Sequence, residues 1–147
     1  MTRVHTPRLH LASVTEVTFA YDPRDDIAIL HIGRPRPGIT DEVDAGWYLR
    51  LTGDESEVLG IELHGLRRKF LSDAFFAPVF TAALDEIQQH TGQTIDAPLD
   101  ITGAATAYPH TSQLLLFLLG QATARFTALQ RAEYNEASEG LFNAVGS

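Results

Sequence analysis

The sequence predicts an α+β fold: an antiparallel β-meander of about four strands, followed by two helices packed on one of its faces. Three observations lead there. From Val17 to His64 apolar residues alternate with polar ones, the period of half-buried strands, and from Leu66 onward they recur at the spacing of a helix face. Residues 16–65 hold eleven acids against four arginines, and seven of the eight phenylalanines follow residue 66, so charge and aromatic content divide where the periodicity does. No Ser/Gly-rich or Pro-rich linker separates the two parts, so 1–65 and 66–147 read as the β-meander half and the helical half of one domain.

The first hairpin joins VTFAY (17–21) to IAILHI (27–32) through Asp22-Pro23-Arg24-Asp25, where Asp at the first and Pro at the second position suit a type I turn. The acids Asp22, Asp25 and Asp26 lack the D-x-D-x-D-G spacing of a calcium loop and read as turn residues that cap backbone N–H groups. GRPRPG (33–38) carries two prolines and reads as a loop, and Asp41, Glu42 and Asp44 as a solvated approach to the next strand. The second hairpin pairs WYLRL (47–51) with VLGIELH (58–64). Setting Leu51 against Leu59 puts Leu49 opposite Ile61 and Trp47 opposite Leu63, an entirely apolar face. Tyr48 opposite Glu62, Arg50 opposite Gly60, and His64 then share the other face. A one-residue slip would bury Arg50 and Glu62, which specifies the register.

In the helical half, Ser72 or Asp73 is a fitting N-cap, Pro78 falls in the first turns, and Gly92 stands just past the end. Phe76, Phe80, Ala83, Leu84 and Ile87 form the apolar stripe of this helix. Residues 94–108 read as irregular, with a short extended piece around Ile95. A longer helix starts near Pro109 and runs to about Glu139, stopped by Gly140. Arg67-Arg68-Lys69 is the one basic run, and it reads as a solvated helix approach or as partners for the acidic β half.

Composition excludes several classes of function. With no cysteine there is no thiol nucleophile, disulfide scaffold, thiolate zinc site or iron–sulfur cluster. Eleven Lys and Arg against nineteen Asp and Glu, a formal charge of −8, argue against a general nucleic-acid binder, which needs a cationic face. The longest apolar run, LLLFLL at 114–119, is six residues, against the roughly 20 of a membrane span. The N-terminus shows no signal-peptide pattern, so the expected location is cytoplasmic, with no membrane partner. Neither a Walker A pattern, nor GxGxxG, nor a G-x-S-x-G elbow occurs, and no cofactor is implied.

Residues 17–66 resemble a known family. YDPRDDIAILHIG, then TDEVDAGWYLRLT, then EVLGIELHG are similar to the small bacterial domain of unknown function 2283. Its pattern is matched by Tyr21, Asp22, Pro23, Asp26, Glu42, Val43, Asp44, Gly60, Ile61 and Glu62. Ser56 departs from the turn glycine usual there, and 67–147 have no counterpart in its short members. The family has no established activity, so the resemblance implies a fold and no catalytic residues.

Two functional readings follow from the residues. In the first, the chain is a non-catalytic association or regulatory module forming a homodimer, because six consecutive apolar residues cover every side of a helix. Leu114, Leu115, Leu118, Gly120, Ala124 and Ala128 are the expected interface, the last three a stripe of small residues four apart. In the second, the chain is a small-molecule binder or hydrolase using Tyr48, Arg50, Glu62 and His64 as acid, base and anion clamp. The six histidines show no HExxH or HxH spacing and no metal is expected. His64 with Glu62 is the best nucleus for one, which His31 joins only if its strand lies suitably in the sheet.

Overall fold

A computed structural model describes residues 14–55 and 57–125. Its architecture is α+β: one antiparallel sheet with helices packed on one face. The strands are β1 (Glu16–Asp22), β2 (Ile27–Ile32), β3 (Ile39–Asp44), β4 (Trp47–Leu51), β5 (Val58–His64) and β6 (Leu99–Ala104), in the order β3-β4-β5-β2-β1-β6. The helices are α1 (Ala77–Thr91) and α2 (109–125). No helix among the described residues is long and apolar enough to cross a membrane.

The sheet therefore has six strands where about four were expected. One addition is β3, read from sequence as an approach, which pairs along β4 with Thr40 opposite Arg50 and Glu42 opposite Tyr48. Its acids line a sheet edge, where charge discourages further strand pairing. The other is β6, inside the stretch read as irregular. It closes the opposite edge on β1 with Phe19 against Ile101 and Tyr21 against Leu99. Leu99 and Ile101 are buried while Asp100 and Thr102 point the other way, the alternation of a half-buried strand.

The β4–β5 register is the expected one at Trp47–Leu63, Tyr48–Glu62, Leu49–Ile61 and Arg50–Gly60. It departs at the open end, where Leu51 pairs with Val58 and Leu59 is the extra residue of a bulge. Leu59 is buried beneath the 33–38 loop, so close that a Cβ on Gly38 would sit 2.8 Å from its Cδ1 and 2.2 Å from the Leu51 carbonyl oxygen.

The inner face carries the core. Phe19, Leu30, Leu49, Ile61 and Leu63 meet Phe80, Ala83 and Ile87 of α1 and Leu114, Leu115, Leu118, Leu119 and Ala122 of α2. Trp47, Phe70 and Phe76 pack edge to face at 5.4–5.7 Å between centroids, and Arg125 lies 4.6 Å above the Trp47 ring. Such burial of alternate strand residues against helix stripes is the main driving force for folding.

Two carboxylates fasten the layers together. Asp26, left-handed at φ 58°, accepts the backbone N–H groups of Arg67 (2.9 Å) and Arg68 (3.2 Å) and the Tyr21 hydroxyl (2.6 Å). It thereby caps a single π-helical turn, Leu66–Phe70, that begins after Gly65 at φ 90°. Burial works against the Asp26 charge, but these three donors outweigh it and hold its pKa below the ordinary value. Burial, reinforced by the Asp26 charge, pushes the Tyr21 pKa up to about 12. The basic run occupies this turn. Arg67 pairs with Asp96 at 2.6 Å and Lys69 donates to the Ala45 carbonyl, so at Arg67 and Lys69 the run faces partners within the chain.

The second fastener is Glu86 on α1, 7% exposed, which accepts His110 N–H (2.9 Å), Thr111 N–H (3.0 Å) and the Thr111 hydroxyl (2.9 Å). It satisfies the open first turn of α2 from a neighbouring helix, where a local side chain usually serves. α1 itself starts at Ala77, later than a Ser72 or Asp73 cap implies. Asp73 instead accepts Phe75 N–H at 2.8 Å in the preceding turn. Pro78 lies in the first turn and Gly92 ends the helix left-handed at φ 73°, both as expected.

Candidate functional site

The outer face of the sheet is the one opposite α1 and α2. Its side chains follow from the pairing: one row crosses all six strands as Thr102, Thr18, His31, Gly60, Arg50, Thr40, and the next as Asp100, Ala20, Ile29, Glu62, Tyr48, Glu42. Tyr48, Arg50, Glu62 and His64 thus share one face, as their spacing predicts.

Their contacts converge on Glu62. Its Oε2 accepts from His64 Nε2 at 2.7 Å, and its Oε1 faces Arg50 Nη1 at 3.4 Å. A carboxylate partner makes Nε2 the donor and leaves Nδ1 as the acceptor when His64 is neutral. The Tyr48 ring lies 4.7 Å from the His64 ring, and a hydrogen bond from its hydroxyl to Glu42, aided by burial and the Glu42 charge, raises the Tyr48 pKa above the ordinary value. The Arg50 and Glu62 side chains are each only 19% exposed. Arg50 also donates from Nη2 to the Arg36 carbonyl at 3.5 Å, so the 33–38 loop walls one end of the site.

His31 completes the cluster. β2 lies next to β5, which places His31 opposite Gly60 with Arg50 on the strand beyond. Gly60 leaves a bare strip of backbone between the two side chains. A Cβ there would sit 2.2 Å from the Leu30 carbonyl oxygen and 2.9 Å from the His31 Cα, so the close strand approach requires glycine. His31 is 1% exposed, and burial together with the Arg50 charge pushes its pKa down to about 4, against the opposing pull of Glu62. It is therefore a neutral imidazole at neutral pH.

Two nitrogens of this cluster are buried without a partner, His31 Nδ1 and Arg50 Nε. Among the described residues the other such side-chain atoms are Trp47 Nε1 and Thr123 Oγ1. Buried polar groups are nearly always bonded, and two of these four orphans stand on either side of Gly60 on the outer face. The neighbouring Thr18 shows the usual state, bonding the Gly33 carbonyl and the Thr102 hydroxyl, both at 2.8 Å. No group of three His, Asp or Glu side chains among the described residues is arranged to hold a metal ion.

The expected oligomer interface divides differently. Leu114, Leu115 and Leu118 are fully buried within the single chain and belong to its core. The physical reason is that α1 and the sheet together cover more of α2 than one sheet face alone. Gly120 and Ala124 are exposed, and Ala128 lies outside the described residues. The nearest exposed aromatic is Phe75, 59% exposed and 5.5 Å from Phe117.

An open groove of about 560 Å³ lies between α1 and the start of α2 and includes Asp85, Glu86, Gln89, His90 and His110. Glu86 is engaged there as a cap on α2, and His90 stacks 4.8 Å from Tyr108.

Sequence reading found the four outer-face residues. It treated His31 as conditional and overlooked Glu86, whose position on α1 carries no local signal for a cap donated to another helix. Compared with known proteins, the chain matches no family model, no curated protein and no solved structure.

Proposed function

We propose that this protein is a binding module, and that the outer face of its sheet around Arg50, Glu62, His64, Tyr48 and His31 holds a small polar ligand. The observation that carries this reading is the pair of buried, unpartnered nitrogens, His31 Nδ1 and Arg50 Nε, beside a half-buried Glu62–His64 pair. Convergent polar groups with a perturbed pKa are the usual signature of a ligand site. Binding is favoured over turnover because the Glu62 carboxylate already holds a short bond, 2.7 Å, to His64. The likeness of residues 17–66 to domain of unknown function 2283 adds a fold expectation and no reaction.

The test is a panel of small polar molecules titrated into the protein while the histidine ring signals are followed by NMR. A member of the panel that shifts the His31 and His64 signals saturably, and does so far less in Arg50→Gln, supports the reading. A panel that leaves both rings unmoved overturns it.

A second reading, association with another copy in a cytoplasmic setting, keeps one specific support. Phe75 is 59% exposed against Phe117, and Phe117, Gly120 and Ala124 recur at i, i+3 and i+7 on α2. A monomeric mass in solution at micromolar concentration would remove this reading.

A further inference from the structure

The two edges of the sheet are guarded differently. β3 carries three acids, Asp41, Glu42 and Asp44, which oppose the approach of another strand. β6 carries one, Asp100, and among the described residues no strand lies on its outer side. Alternate residues of an edge strand aim both backbone groups away from the sheet. Ala105 N–H bonds the Thr15 carbonyl at 2.9 Å, and the register settles the rest: Leu99, Ile101 and Gly103 bond toward β1, while Asp100, Thr102 and Ala104 turn outward.

Two of the outward groups are occupied. The Ala104 carbonyl accepts Ala107 N–H at 2.9 Å and Tyr108 N–H at 3.1 Å, and Asp100 N–H reaches Gln93 Oε1 at 3.4 Å. No protein group among the described residues meets the others, which are two donors, Thr102 N–H and Ala104 N–H, and two acceptors, the Asp100 and Thr102 carbonyls.

We propose that β6 is a self-association edge, where it pairs antiparallel with β6 of a second copy about a two-fold axis at Thr102. In that register Thr102 exchanges two hydrogen bonds with its symmetry mate, and each Ala104 N–H meets the partner's Asp100 carbonyl. All four open groups are then satisfied in both copies, as an isologous contact requires. The one pair the register cannot join, the Ala104 carbonyl and Asp100 N–H, is the pair already occupied within each chain. Charge selects the same register. Centring on Thr102 sets Asp100 against Ala104 and holds the two Asp100 carboxylates about 13 Å apart along the strands, beyond the roughly 8 Å reach of a charge at physiological salt. Centring on Ile101 would bring them to about 7 Å, break the Gln93 bond and leave Ala104 N–H open. At the axis two threonines face each other on the outer side, a favourable cross-strand pair. The paired segment is short and buries little surface, so the association is weak and depends on concentration.

The experiment follows sedimentation of the full chain from micromolar to millimolar concentration, together with amide hydrogen exchange. Expected is a monomer–dimer equilibrium in which exchange at Thr102 and Ala104 slows at least tenfold across the range, while exchange at Asp100 stays unchanged. Thr102→Pro removes the central donor without breaking a backbone bond to β1, and Thr102→Lys sets two like charges face to face at the axis. Each should weaken dimerisation at least tenfold, with circular dichroism checking that the fold is retained. Phe75→Ser, on the surface that the other association reading uses, should leave it unchanged. A dimer undiminished in Thr102→Lys, or one lost in Phe75→Ser, overturns the assignment to β6. A mass that stays monomeric throughout overturns it as well, and strong protection of the Thr102 amide in that monomer would show that residues of the same chain occupy the edge.

Discussion

Glu86 and Asp26, on one hand, and His31 and Arg50, on the other, are polar groups drawn away from water that the fold treats in opposite ways. Each of the two carboxylates accepts three hydrogen bonds, two of them from backbone N–H groups at the start of a helical segment. Each of the two basic side chains keeps a buried nitrogen with no partner, on the sheet face opposite α1 and α2. Full satisfaction is what a group needs when its role is to hold two elements together. Incomplete satisfaction raises the free energy of the folded state, and it persists where something outside the chain completes it. The difference separates scaffold from site, and substitutions on the two sides are expected to behave differently.

The largest effect is expected at Glu86. Replacing it with Ala strands two backbone N–H groups and the buried Thr111 hydroxyl at the start of α2, at a cost of about 4 kcal/mol in unfolding free energy, measurable by urea denaturation. Glu86→Gln, which keeps one acceptor oxygen, should recover part of it. A loss below about 1 kcal/mol for the Ala variant would show that water takes over the cap and that Glu86 is no fastener.

Asp26→Ala comes next, at about 2 kcal/mol, since its site is less buried and water reaches the freed N–H groups. It has a second signature. With the Asp26 charge gone, one of the causes raising the Tyr21 pKa is removed, so the tyrosine should titrate below its present value of about 12 in an ultraviolet titration. An unchanged Tyr21 titration would contradict the hydrogen bond as described.

How much of this contrast was legible in the sequence depends on whether the signal was local. The outer-face set was legible because strand alternation and a register protected by Arg50 and Glu62 place Tyr48, Arg50, Glu62 and His64 together, and four of the five expected β4–β5 pairs stand as read. The fifth did not, because a bulge at Leu59 answers to the loop crossing above it, a non-local packing constraint. β6 carries period-two alternation at Leu99, Asp100, Ile101 and Thr102, but Pro98 before it and Gly103 within it dilute a six-residue signal. His31 could be placed only once β2 was known to neighbour β5, and strand order is not written in strand pattern. The burial of Leu114, Leu115 and Leu118 likewise depends on where α1 lies, so an apolar run that reads as an interface is a core. Residues 126–147, where the longer helix was expected to continue and where Ala128 sits, lie outside the described residues.

A further effect comes from His31 and depends on pH. Its folded-state pKa is near 4, below the ordinary 6.5. Above pH 6.5 the ring is neutral in both folded and unfolded chains and contributes no slope. Between pH 6.5 and 4 the unfolded chain takes up a proton that the folded state refuses, so stability falls as the pH falls through this window. Below 4 the slope ends. Denaturation of wild type and His31→Gln at a series of pH values isolates the contribution, and the two curves should converge as pH drops from 6.5 to 4. Parallel curves would mean that His31 is neutral for no energetic reason and is not buried as described.

The smallest stability effect belongs to Arg50, and it is the sharpest test of the comparison. Arg50→Gln removes a buried orphan donor and two long hydrogen bonds, and Glu62 keeps its shorter bond to His64. These changes offset one another, so unfolding free energy should move by no more than about 0.5 kcal/mol in either direction. The His31 pKa should nonetheless rise, because the Arg50 charge is one of the two causes that depress it, while the larger cause, burial, remains. A stability change near zero with a raised His31 pKa is what a site residue produces. A loss above about 2 kcal/mol would put Arg50 beside Glu86 and Asp26 as a fastener, and the outer face would then be part of the scaffold.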